Sequence, residues 1–199
     1  MTVIAGGFPT DLFSVVTIGE AHRPAPSWER MFGWPAEGAT AVPIDVRSRG
    51  ERNIWAARLD RAVREADARV LLIADGIGCA ASAWWARLSP ADDVGRIAGA
   101  LLFAPQPEAG DLFASPQARL PFPSLVIQPG ATAEVDWDVN GDVGATIAGW
   151  GSRLVVGERP RDRGARLVAW RQAQRLFLRL TQQMVEHDVD RGRAITGWR

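Results

Sequence analysis

Six short apolar runs punctuate the chain: Ser14–Ile18, Ala41–Ile44, Val70–Ala74, Gly99–Ala104, Ser124–Gln128 and Ser152–Val156. They are apolar at successive positions rather than alternating, the pattern of strands buried on both faces of a parallel sheet. Helix-like segments separate them. Between Glu51 and Ala66, Trp55, Leu59, Ala62 and Val63 fall on one helical face. Gly78–Leu88 is a compact helix rich in Ala and Trp, and Val143–Trp150 is a short one. Across Gly164–His187, Leu167, Trp170, Ala173, Phe177, Leu180 and Met184 repeat at helical spacing. Strand-then-helix order repeated along a chain predicts a doubly wound, mostly parallel α/β sheet of about six strands with helices on both faces. No repeat, linker or composition shift divides the 199 residues, so one domain is expected, ending in an Arg-rich helix over about 163–188 and a short tail.

In such a sheet ligands bind beyond the carboxyl ends of the strands, so the loops there carry the chemistry. After the third run the chain reads Ala74-Asp75-Gly76-Ile77-Gly78-Cys79. Strand, sharp turn and small-residue helix have the spacing of a nucleophile elbow, with Ala74 and Gly78 as the small flanking positions. The nucleophile's own position is Gly76, which has no side chain to attack with.

The set Trp55–Val63, Leu71–Ala80, Gly99–Pro105, Leu120–Ile127 and Gly149–Arg153 resembles, in order and spacing, the small bacterial serine hydrolases related to the retinoblastoma-binding-protein type. The resemblance covers roughly residues 14 to 158 and implies an α/β-hydrolase fold without a lid domain. It also implies a Ser-His-acid triad, each member of which this chain lacks. The elbow positions are Asp75, Gly76 and Ile77; the acid's place falls nearest Thr132; the histidine loop holds Glu158, Arg159 and Pro160 instead. The family's oxyanion loop corresponds to Gly19, Glu20, Ala21 and His22, which sets a carboxylate where a developing oxyanion needs donors. Cys79 matches a structural position on the elbow helix.

A triad works as a unit, so losing all its members points to an inactive hydrolase-like protein. The expected role is a protein-binding, scaffold or accessory subunit. The alternative is a hydrolase with a rebuilt site for a small ester or amide, using Asp75, Glu20 or His22 in a pocket lined by Gly19 and Gly76. A third option is a small-molecule sensor using the vacated pocket. Asp75 as an aspartate nucleophile is out of register by one residue. His22 reads as a loop histidine and His187 as a helix-end cation.

Arg171, Arg175 and Arg179 are four residues apart and share a helical face, suited to an acidic protein partner if not simply solvated; self-association is the other expectation. Twenty-three basic and twenty-three acidic residues balance, giving no field for nucleic acid or anionic membrane. Every basic residue is Arg, which suits a bacterial source. Cys79 is the only cysteine, so no internal disulfide or multi-cysteine metal site is expected. Asp136–Asp142 carries half a calcium loop, but position twelve is Ile147, and no metal or cofactor is expected. No apolar run nears the roughly 20 residues that span a bilayer, and no signal peptide is visible, so a cytoplasmic location without membrane insertion is expected. Trp84 and Trp85 are adjacent and cannot share one side of a helix, so one of them is a candidate wall of the old site or of an interface.

Overall fold

The computed structural model describes residues 13–22, 38–105, 112–114, 118–129 and 142–157, with Arg179, Leu180, Met184 and His187. Strands β1 (Ser14–Ile18) and β2 (Thr40–Ala41) precede helix α1 (Arg49–Arg64). Then come β3 (Val70–Asp75), α2 (Ile77–Leu88), α3 (Ala91–Gly95), β4 (Ile97–Phe103), β5 (Ser124–Pro129), α4 (Asp142–Gly149) and β6 (Arg153–Gly157). The strands form one sheet in the order β2-β1-β3-β4-β5-β6, and every pairing is parallel. The doubly wound α/β architecture expected from the apolar runs is therefore the one observed.

Strand alternation splits the apolar residues between two layers. Val16, Ile18, Leu72, Ala74, Leu102 and Val126 pack with Trp55, Leu59 and Val63 of α1 and with the alanines of α2. Val15, Leu71, Ile73, Leu101, Leu125 and Ile127 pack on the opposite face with Leu180 and Met184. Those last two are helical, one turn apart and buried, so this part of the predicted C-terminal stripe covers the second face.

Most element ends differ from the sequence reading by a single residue, and a few differ by more. The second strand is Thr40–Ala41 rather than Ala41–Ile44, and Pro43, on this edge strand, stands where an N–H would face away from β1. Val42 and Ile44 still donate to the carbonyls of Thr17 and Gly19, and Glu20 bridges Ile44. β4 begins at Ile97, two residues before Gly99. The first helix runs from Arg49, because Ser48 caps it through the Glu51 N–H, and it ends at Arg64 rather than Ala66. The Glu51 carboxylate in turn accepts from the Arg47 N–H at 2.7 Å, which holds its pKa below the ordinary carboxylate value. α3 has no apolar period and was not expected.

The amino end of the sheet is tied by polar side chains. Arg64 donates to both oxygens of Asp93 at 2.9 and 2.6 Å, and this pairing lowers the Asp93 pKa. Arg96 donates to the carbonyls of Val63 and Ala66 at the end of α1, satisfying groups the helix cannot. The Trp85 indole donates to Asp60 at 2.7 Å, so α2 is pinned to α1. Ser124 and Ser152 meet at 2.6 Å where β5 and β6 begin.

Candidate active site

At the carboxyl end, β3 turns into α2 through a single residue. Gly76 has φ 56° and ψ −120°, a conformation that side chains with a Cβ adopt only under strain. Its N–H donates to the Phe103 carbonyl at 2.9 Å, which fastens the turn to β4. Gly78, two residues on, is needed for a different reason. A Cβ built there would lie 2.5 Å from the Ile18 carbonyl oxygen, so α2 presses directly on the end of β1. A one-residue turn at positive φ with a close helix behind it is the nucleophile elbow that the spacing predicted, and its tip is Gly76.

Cys79 is a buried small side chain, as expected. Its thiol lies against the carbonyls of Phe103 and Ala74 at 3.4 and 3.5 Å. Burial, and secondarily the charge of Asp75, push its pKa well up, so it is no thiolate nucleophile. Asp75 itself is the last residue of β3, half-buried and opposite Phe103; it shares strand parity with Leu71 and Ile73. It stands one residue short of the tip, as its register predicted.

The loop after β1 starts beside the elbow, because the Ile18 carbonyl touches α2. Gly19 opens on empty space, and Glu20 is exposed with its backbone bridged to Ile44. His22 pairs with Asp45 at 3.9 Å, and both side chains are largely exposed. Asp45 also faces Arg47 at 3.8 Å, so His22 belongs to a loose surface group of the β2 edge. Thr132, Glu158, Arg159, Pro160, Arg171 and Arg175 lie outside the described residues, as does the calcium-like segment before Asp142. Arg179 is helical and exposed. Among the described residues, no group of three His, Cys, Asp or Glu side chains is placed to hold a metal. No described helix is long and apolar enough to cross a membrane.

Sequence reasoning missed one feature of this end. Phe113 is wholly buried between Trp55 of α1 and Trp84 of α2, edge-to-face with both at centroid distances of 5.4 and 5.7 Å. Arg52 lies over the Trp84 ring at 4.4 Å and donates to the Leu112 carbonyl at 2.8 Å. Trp84 is thus the wall of a filled slot, while Trp85 is a core anchor. Phe113 sits alone in a Pro-rich loop with no periodicity to flag it. A second strained position, Ala104 at φ 43°, follows β4 at the same end.

A family model for serine hydrolases matches residues 19–158, and the chain belongs to that family. No curated protein matches the sequence. Among solved structures, the chain is similar to a YdeN-like hydrolase of Pectobacterium atrosepticum, with TM-score 0.59 and 16% identity over 89% of this chain and 94% of that one. It is also similar to YbtT, a type II thioesterase of the yersiniabactin pathway, with TM-score 0.50 and 15% identity over 91% and 96%. A CIB-like hydrolase of Thermoplasma acidophilum gives TM-score 0.50 and 14% identity over 89% and 88%. At these identities the likeness establishes the α/β-hydrolase fold and nothing of substrate.

Proposed function

We propose that this chain is a non-catalytic member of the serine hydrolase family, serving as a protein-binding or accessory subunit. The observation that carries this reading is Gly76 at the tip of an otherwise intact elbow. The serines of the described residues are committed elsewhere. Ser14 accepts from Ala68, Ser48 caps α1, and Ser82 donates to Gly78; Ser89 donates to Asp60, and Ser124 pairs with Ser152 at the far end of the sheet. Cys79 is buried and protonated. Exposed Arg179, on the face that sequence spacing gives to Arg171 and Arg175, supports an acidic protein as partner.

The test is a fluorophosphonate probe together with a panel of short acyl esters, thioesters and amides. The expected result is neither labelling nor turnover above buffer. Stoichiometric labelling of any serine overturns the reading. So does turnover that disappears in Asp75→Ala or Glu20→Ala while the fold persists, since that result would establish a rebuilt hydrolytic site instead.

A further inference from the structure

The slot between α1 and α2 has the makings of a site in its own right. The rings of Trp55 and Trp84 both meet that of Phe113 in the T-shaped arrangement that aromatic quadrupoles favour. A guanidinium closes the slot beside Trp84. Its Nη1 holds a carbonyl oxygen, that of Leu112. Its Nε is a buried donor with no acceptor. Buried donors are normally paired, so an orphan at the rim of an aromatic slot marks a place where one more acceptor would be favourable.

The occupant comes from far along the chain. Leu112 and Phe113 belong to the connection between β4 and β5, sixty residues from Arg52. Among the described residues, the Arg52 bond is the one hydrogen bond that fastens residues 112–114. α1 crosses from β2 to the parallel β3, so its first turns, with Arg52 and Trp55, lie at the carboxyl end of the sheet. Trp84 is about 10 Å of helix rise from the elbow. Ligands of doubly wound sheets bind at this end.

We propose that this slot is a binding site for a small aromatic ring bearing a hydrogen-bond acceptor, and that Phe113 and the Leu112 carbonyl are the chain's own plug in it. An external ligand of that chemistry displaces the plug, setting its ring between Trp55 and Trp84 and its acceptor on Arg52. The proposal is independent of whether the elbow is catalytic.

Isothermal titration of the full chain with 2-phenylacetamide, and with toluene as a ring without an acceptor, tests it. The wild type binds 2-phenylacetamide weakly but saturably. Phe113→Ala binds it roughly tenfold or more tightly, because the ligand no longer competes with the plug. Arg52→Met loses the preference for 2-phenylacetamide over toluene. Circular dichroism checks each fold, and Phe113→Leu, which keeps most of the ring's volume, replaces the alanine variant if that one fails to fold. Absence of saturable binding to the wild type overturns the proposal, since Phe113 is then permanent core. So does an affinity unchanged by removing the ring, or a preference for the amide that survives Arg52→Met.

Discussion

The two ends of the sheet are held by opposite means. At the amino end, charged and polar side chains do the fastening: Arg64 grips Asp93, Arg96 caps α1, and Asp60 receives the Trp85 indole. At the carboxyl end much of the described fastening is backbone and shape, and Arg52 adds a side-chain tie to the Leu112 carbonyl. Gly76 donates to Phe103, Gly78 lies on Ile18, and the acidic and imidazole side chains of the first loop are exposed. In a working hydrolase the carboxyl end is where polar side chains converge on a substrate. Here the buried Asp93 and half-buried Asp60 take their partners at the amino end, where they bind layers together, while the His22, Asp45 and Arg47 group lies at the surface. The difference teaches that the residues that bind the layers together are not the residues of the elbow, so on the reading proposed above the scaffold can persist without the chemistry.

The sharpest way to break this comparison is at Gly78. Gly78→Ala sets a Cβ against a backbone carbonyl that cannot rotate away, and a loss of about 3 kcal/mol or more is expected by urea unfolding. A neutral result would mean that α2 does not press on β1 as described. At the tip, Gly76→Ala retains the turn but imposes strain on it, and about 2 kcal/mol of destabilisation is expected in the same assay. If that variant is instead more stable, the positive φ is wrong.

The amino end should respond more mildly and differently. Trp85→Phe keeps the ring in place but removes its donor from Asp60, costing about 1.5 kcal/mol. The smallest effect belongs to Asp93→Asn, since Arg64 is more than half exposed and solvent screens the pair. Its signature is pH. The Asp93 pKa is lower folded than unfolded, so its contribution is full above the unfolded value near 4 and fades as pH falls through the folded one. The gap in Tm between wild type and Asp93→Asn is expected to be widest at pH 7 and to close toward acid. A gap that widens in acid would contradict the pairing. The gap between wild type and Gly76→Ala, which involves no titrating group, should stay constant across the same range.

Most of the fold was legible because burial on two faces writes long apolar runs into the strands, and α1 and α2 carry clear spacing. The elbow was legible because its glycines sit at fixed intervals. What escaped notice had no periodic trace. α3 is five residues, too short to show a stripe. The pairing of β2 is also only two residues long, continued beyond it by the separate Val42 and Ile44 bonds to β1, which no apolar run distinguishes from a full strand. Leu112 and Arg52 meet across sixty residues, and nothing local in a Pro-rich loop or a charged helix face announces such a pair. The acid and histidine positions were read at Thr132 and Glu158–Pro160, outside the described residues, so that part of the site rests on sequence alone.

The conformation at residue 76 also has a direction in evolutionary time. Any nucleophile at that tip carries the strain of positive φ, and only its reaction justifies keeping it. Glycine relieves the strain at a stroke. A lineage that ceases to use the reaction is therefore rewarded with stability for the very substitution that ends it, and the return step must be taken uphill. Gly78 has no such freedom, since any Cβ there collides with β1. On the proposed non-catalytic reading, drift of this kind removes the chemistry first and leaves the signature of the turn for last.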